Sequence, residues 1–126
     1  MRFDDTKVPM FPIYGSTGQH GYLEQTRYPK AGDPNPEVKI GFVKAEGSPV
    51  VWADFNEKDD QYFGTPYWSF DSSTMMVQWL DRGQTNLKFY AVDPNTGSKK
   101  EFYDETQSSW VDLSFDGRIE YLKDNK

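Results

Sequence analysis

Two stretches of the chain repeat one another, and that repetition limits the fold more than any single motif does. The segment VKIGFVKAEGS, Val38 to Ser48, aligns with LKFYAVDPNTGS, Leu87 to Ser98, once one residue is inserted in the second copy. Val38 then matches Leu87, Lys39 matches Lys88, Ile40 matches Phe89 and Val43 matches Val92, while Gly47 and Ser48 match Gly97 and Ser98. A second pair, SFDSSTMMVQWLD from Ser69 and SFDGRIEYLKDNK from Ser114, is offset by 45 residues, against 49 or 50 for the first. A period of this length, holding about four strands per unit, belongs to propeller blades, whose sheets hide their faces against their neighbours. A β-sandwich with accidental similarity is the alternative.

The local signals agree with strands throughout. Tyr22–Tyr28, Val38–Lys44, Pro49–Ala53, Gly64–Phe70, Thr74–Leu80, Asn86–Val92, Lys99–Tyr103 and Arg118–Lys123 are short and rich in Val, Ile, Tyr, Phe and Trp, with Gly, Pro, Asn, Asp and Ser between them. The expected fold class is therefore all-β, a partial β-propeller of about two four-stranded antiparallel blades cut from a larger ring. Residues 1–37 are expected to form an extended Pro/Gly-rich arm and edge, 38–61 the end of one blade, 62–104 a complete blade and 105–126 the start of the next. Pro9, Pro12, Pro29, Pro34 and Pro36 bar the first region from a central sheet, because proline brings no ladder donor. Asp71 and Asp116, each following Phe in an SFD copy, are expected to cap the turn between a blade's first two strands through side chain to backbone hydrogen bonds.

Charge and composition remove several function classes. The net charge is -6, and no basic cluster is longer than Lys99-Lys100, so a phosphate-binding face is not expected and nucleic acid is excluded as a partner. No apolar run approaches the roughly 18 to 20 residues that span a bilayer, and MRFDDTKVPM has neither the basic nor the apolar part of a signal peptide. Cysteine is absent, which rules out disulfides, thiolate metal ligands and thiol catalysis within these residues and leaves the compartment open.

Candidate chemistry is sparse. His20 stands in a Gly-rich loop with no carboxylate or serine expected beside it, and reads as a solvated loop histidine. Asp93-x-Asn95-x-Gly97 starts like a calcium loop, yet glycine falls one position early and a lysine pair follows, so a hairpin turn is expected. Glu57, Asp59 and Asp60 read as a solvated acidic loop. Trp52, Trp68, Trp79 and Trp110 either pack between blades, the favoured reading, or form a stacking platform for sugars. No catalytic residue, substrate-binding residue, metal ligand or cofactor is expected here.

FDDTKVP (Phe3 to Pro9), YPKAGDPNPEVKIGFV (Tyr28 to Val43), MVQWLDRGQTNLKFYAVDPNTG (Met76 to Gly97) and SSWVDL (Ser108 to Leu113) occur in an order that resembles the N-terminal β-propeller domain of the dipeptidyl peptidase IV family of serine peptidases, over nearly the whole chain. The resemblance implies an eight-bladed propeller stacked on a C-terminal α/β-hydrolase domain, and removal of N-terminal dipeptides with Pro or Ala in second position. The cysteine-free sequence suits a bacterial relative, and the parent protein is expected in the periplasm or outside the cell. The family's nucleophile elbow, G-x-S-x-G, is absent from this chain, and its paired glutamates belong to a segment preceding the counterpart of Phe3; Asp4-Asp5 are not those glutamates. By resemblance, Tyr14 to Glu37 is an arm that contributes to a homodimer contact, with Tyr14, Tyr22, Leu23, Tyr28, Pro29, Pro34 and Pro36 as its candidate residues. The expected function is thus a non-catalytic propeller segment that gates access to a peptidase site and aids dimerisation. The alternatives are a carbohydrate- or peptide-binding module using exposed tryptophans, or a structural propeller piece of a non-peptidase surface protein.

Overall fold

Every helix or strand in residues 1–113, the part that the computed structural model describes, is a β-strand. In chain order these are β1 (Arg2–Asp4), β2 (Met10–Gly15), β3 (Tyr22–Arg27), β4 (Glu37–Lys39), β5 (Gly41–Phe42), β6 (Val51–Trp52), β7 (Gln61–Phe63), β8 (Tyr67–Trp68), β9 (Met75–Asp81), β10 (Asn86–Val92) and β11 (Lys99–Thr106). The expected strand Arg118–Lys123, the second SFD copy and Asp116 lie outside the described residues. The chain divides into two compact units, one formed by Phe3–Glu37 and the other by Met1–Arg2 with the chain from Val38 onward.

The larger unit is organised by one antiparallel sheet in the order β11-β10-β9-β7, with β8 also paired to β9. Leu87 faces Leu80, Tyr90 faces Val77 and Val92 faces Met75 across the central ladder. Because directly opposed residues share a face, Met75, Val77, Tyr90, Val92 and Phe63 look one way. They join a core in which Ile40, Ala53, Val77 and Val92 are buried and Phe42 and Phe55 pack alongside. Leu80 and Leu87 look the other way and meet Val111, with Tyr62, Phe89 and Leu113 around them. Strand β9 is therefore apolar on both faces, which is why MMVQWL shows no clean alternation. Each fully buried valine contributes about 1.5–3 kcal/mol over leaving it in water, and Val77 and Val92 are both fully buried.

The buried Gln61 is satisfied locally, whereas the buried Asn86 Oδ1 has no hydrogen-bond partner among the described residues. The Trp79 indole donates to Gln61 Oε1 at 2.6 Å, and Gln61 Nε2 donates to the Asn56 carbonyl at 2.7 Å, so the buried glutamine ties the sheet to the preceding loop. The turn from β9 to β10 is held by Asp81 Oδ1, which accepts the amides of Thr85 and Asn86, both at 2.9 Å.

Several expected strands differ in extent, among them Pro49–Ala53, which narrows to β6. Val38–Lys44 is broken at Ile40, whose side chain is buried and whose carbonyl accepts the Ala53 amide at 2.9 Å. Gly64–Phe70 is reduced to β8, and β7, which was not expected, ends just before it; between them lie Gly64, Thr65 and Pro66, where a missing N–H interrupts the ladder. β11 runs on to Thr106, because its partner β10 begins at Asn86, opposite that residue.

The two repeat copies end in equivalent turns. Gly47 and Gly97 both adopt left-handed φ, 89° and 76°. The Gly47 amide reaches back three residues to the Lys44 carbonyl, whereas the Gly97 amide reaches back four to that of Asp93; this is the one-residue insertion seen in the alignment. Their surroundings differ: a Cβ on Gly47 meets nothing within 4 Å, but on Gly97 it meets the Trp52 carbonyl oxygen at 2.0 Å. Gly47→Ala should thus cost only the backbone penalty, roughly 1–2 kcal/mol, and Gly97→Ala at least about 3 kcal/mol. Urea denaturation of the two variants should rank them in that order, and equal midpoints would contradict it.

The SFD turn behaves as expected for Asp71. Its Oδ1 accepts the Ser69 hydroxyl (2.7 Å), the Ser73 amide (3.0 Å) and the Ser73 hydroxyl (2.8 Å). These bonds, the Ser69 hydroxyl first, pull the carboxyl down to about 2. With the folded value below the ordinary one, the turn's added stability is present above about pH 4 and lost as pH falls through 2. A carbon-detected NMR titration should place the Asp71 midpoint near 2, and Ser69→Ala should raise it; a midpoint of about 3.9 in the unaltered protein would refute the cap.

Candidate interaction site

The smaller unit is built on a hairpin. β2 and β3 pair from Met10 opposite Arg27 to Gly15 opposite Tyr22, with Pro12 opposite Gln25. A two-stranded ribbon consists only of edge strands, so Pro12 is tolerated. Within the stretch expected to be arm and edge, residues 10–27 fold back on themselves as this hairpin, and the proline-rich stretch from Tyr28 to Pro36 lies outside any strand.

The ribbon's two faces differ. Met10, Pro12, Tyr14, Leu23, Gln25 and Arg27 share one face, and Phe11, Ile13, Gly15, Tyr22, Glu24 and Thr26 share the other. Met10, Tyr14 and Leu23 are 51%, 70% and 64% exposed. Phe11, by contrast, lies 5.9 Å from the Tyr28 ring and beneath the Lys30 ammonium at 4.2 Å. At the tip, the Tyr22 ring lies over Gly15 and Tyr14 over Gly21, so close that a Cβ on either glycine would come within 2.3 Å of the ring or its hydroxyl.

The root of the hairpin is clipped by Arg27. Its Nη1 donates to the carbonyls of Thr6 (2.9 Å) and Val8 (2.7 Å), and Nε lies 3.7 Å from Asp5 Oδ1. Within this turn the Val8 amide donates to the Asp5 carbonyl at 2.9 Å, and the Tyr28 amide donates to that of Pro9 at 3.1 Å, one step beyond the strand ladder. Lys7 pairs with Glu37, a hydrogen bond and charge that raise the lysine's pKa. Both ends of the unit are therefore stitched together.

Of the candidate residues, Tyr14, Tyr22 and Leu23 are gathered and exposed at the hairpin's far end. Tyr28, 55% exposed, turns toward Phe11 at the root. Pro29 and Pro36 are half-buried, and Pro34 is exposed outside any strand. Met10, Pro12, Gln25 and Arg27 were missed; the alternation in MFPIYG was the available signal, and it was masked by reading Pro12 as a strand breaker.

Other candidates resolve separately. Glu57 pairs with Lys39, Asp59 accepts the Asn56 amide at 2.6 Å, and Asp60 pairs with Arg82 at 2.7 Å, so the acidic loop's carboxylates face three different partners. Among the described residues no group of three or more His, Cys, Asp and Glu side chains could hold a metal ion. His20 is exposed at the hairpin tip. In the Asp93 turn the carboxylate accepts the Asn95 amide at 2.8 Å and the Thr96 hydroxyl at 3.0 Å, and the Asn95 amide in particular holds its pKa below the ordinary value. Trp79 is engaged within the sheet, while Trp52, Trp68 and Trp110 are 40%, 48% and 80% exposed. Trp68 tilts against Phe42 at 6.2 Å.

An antiparallel four-stranded meander, covered on both faces by chain from either side of it, defines this protein as part of a β-propeller. Residues 1–125 match the family described as "Dipeptidyl peptidase IV (DPP IV) N-terminal region", and the chain belongs to it. A probable dipeptidyl-aminopeptidase B of Arthroderma otae is 32% identical over 90% of this chain. The inactive dipeptidyl peptidase 10 of Rattus norvegicus is 28% identical over 88% of it. The chain spans 14% of the length of each of these relatives. Among solved structures, one assigned as a dipeptidyl aminopeptidase IV from Bacteroides ovatus aligns over 87% of this chain and 16% of its own, with TM-score 0.74 and 26% identity. Porphyromonas gingivalis dipeptidyl peptidase 4 has the same fold over the same shares, with TM-score 0.77 and 21% identity.

The clip predicts a local effect. Arg27→Ala removes two charge-assisted bonds at a partly exposed site, a loss of about 1.5 kcal/mol, or roughly tenfold in the local opening equilibrium. Amide exchange at Val8 and Tyr28 should quicken by that factor while Val77 and Val92 exchange as before; unchanged protection at Val8 would show that the turn holds without the guanidinium.

Proposed function

We propose that this chain is a non-catalytic propeller segment of a serine dipeptidyl peptidase that removes N-terminal dipeptides with Pro or Ala in second position, and that its hairpin arm aids dimerisation while the propeller gates access to the peptidase site. In this reading residues 1–37 are arm and edge, 38–61 end one blade, 62–104 form a complete blade and 105–126 begin the next. The family match across residues 1–125 carries the proposal. Two further facts support assigning the chemistry elsewhere. The sequence holds no G-x-S-x-G elbow, and the same stretch is shared with a relative named inactive, so what relatives share here is architecture. Dimerisation draws support from a compact unit whose tip exposes Tyr14, Tyr22 and Leu23.

A second reading, a peptide- or sugar-binding module, is favoured by one feature: an open cleft of about 690 Å³ between the turns of the larger unit, walled by Phe42, Trp68, Met75 and Pro94. It predicts a change in tryptophan fluorescence when oligosaccharide or peptide is added.

The test uses the full-length protein. Replacing residues 11–26 by Asn-Gly, which closes a two-residue hairpin between Met10 and Arg27, should turn a dimer into a monomer in sedimentation analysis. A dimeric variant would remove the arm from the interface. Failure of the unaltered protein to cleave a Gly-Pro chromogenic substrate would remove the peptidase reading.

A further inference from the structure

The cleft between the turns of the larger unit combines aromatic walls with a single cation. Phe42 and Met75, both packed on the buried core, form part of its lining. Trp68 stands opposite Met75 in the ladder and leans on Phe42 at 6.2 Å, yet remains 48% exposed. No Asp or Glu lines the cleft, and its one charged residue is Lys44. The Lys44 ammonium has no carboxylate partner among the described residues, and Glu46 of the same turn is not part of the lining. The uncharged polar groups are already engaged. Ser48 Oγ accepts the Lys44 amide at 3.2 Å and donates to the Pro49 carbonyl at 3.1 Å, and the Asn95 side-chain amide donates to Asp93 Oδ1 at 3.2 Å.

Resting on the second reading above, that this cleft is a binding site, the geometry points to an extended acidic peptide segment of another protein as its occupant, one that carries proline or aromatic rings beside Asp or Glu side chains. The polar groups decide between peptide and sugar. A sugar brings a ring of hydroxyls that need partners once covered, and Ser48 and Asn95 have few bonds left to give. Proline and aromatic side chains bring none, and proline-containing segments seat on aromatic-lined grooves in a conformation that is already extended. A cleft of about 690 Å³ falls within the range that encloses a ligand of a few side chains. The charge is complementary as well: a carboxylate on the segment meets Lys44 with no carboxylate of the lining to oppose it. The cleft is open, so the acid is a side chain of a segment that runs through it.

The experiment is isothermal titration calorimetry of the full-length protein with acetyl-Glu-Pro-Phe-Glu-amide, whose cap denies a free N-terminus to the proposed peptidase site. The peptide should bind, and Trp68→Ala should weaken it at least about tenfold. Lys44→Gln should weaken it about threefold in dilute buffer, and raising the salt to about 0.5 M should erase that difference. The peptide with Gln in place of Glu should lose the same factor and be indifferent to Lys44→Gln. Amide protection at Val77 reports whether Trp68→Ala keeps its fold; where it does not, the Lys44 comparison decides alone. Peptide binding that ignores Lys44 overturns the acidic occupant. Binding of maltohexaose but not of the peptide, abolished by Trp68→Ala, overturns the inference and leaves the second reading standing. Binding of neither overturns both.

Discussion

Burial on both sides of the β9–β10 ladder is the constraint from which the rest of the larger unit follows. A sheet apolar on one face can rest on a single layer and leave its other side in water. This one cannot, because Val77 and Val92 point one way while Leu80 and Leu87 point the other, and all four are buried. One side is supplied by chain that precedes the sheet, through Ile40, Phe42, Ala53 and Phe55, and the other by Val111 and Leu113, which follow it. Cover from before and after in sequence is the arrangement of stacked blades, in which each sheet is wall to the next.

The outermost strand shows the same economy in another form. β11 is exposed along its length, and its bulge, opposite the step from Phe89 to Tyr90, makes Phe102 the unmatched residue. Phe102 and Tyr103 both then reach the Phe89 ring, at 6.0 and 5.3 Å. Lysines and carboxylates fill the remaining positions up to Glu105, and Thr106 ends the strand. Lys88 joins Glu101 and Asp104 at 2.9 and 3.2 Å, and its hydrogen bond to Glu101 is the largest of the influences holding it protonated far above the ordinary range. A charged edge discourages pairing with stray strands. The hairpin arm has a different edge composition, with tyrosine, leucine and methionine exposed, so the two exposed surfaces of the chain are chemically distinct.

How much of this was legible in the sequence depended on whether a residue's role was local or relational. The strands Asn86–Val92 and Tyr22 onward, the hairpin turn at Asp93 and the cap at Asp71 all follow from neighbours within a few positions, and reading in short windows found them. The repeat exposed the kinship of Gly47 and Gly97 because their left-handed φ is a local demand. It could not expose the Trp52 carbonyl packed against only one of them. The arm shows the same division. Its exposed aromatics were visible as residue types, but the sorting of Tyr14 and Leu23 onto one face and Tyr22 onto the other is a matter of register. Register depends on which residues pair across the turn, and Pro12, taken as a breaker, hid that pairing. No neighbour within a few positions announces the role of Arg27, since its two carbonyl partners lie 21 and 19 residues away.

Similarity to relatives carries different weight at these two levels. A blade needs apolar residues on both faces of its central strands, and many sequences meet that demand, so a structure only 21% identical can keep the fold with TM-score 0.77. A relative named inactive also matches this stretch, at 28% identity over 88% of the chain. The arm is under no such packing demand. Its exposed side chains hold it together through the Arg27 clip, the Tyr28 and Lys30 contacts with Phe11, and the Tyr14 and Tyr22 contacts with glycine. Covering such side chains by another surface would contribute about 25 cal/mol per Å² of apolar area removed from water. The physical case for a partner thus rests on the arm, and the physical case for a propeller rests on the sheet; neither requires the other.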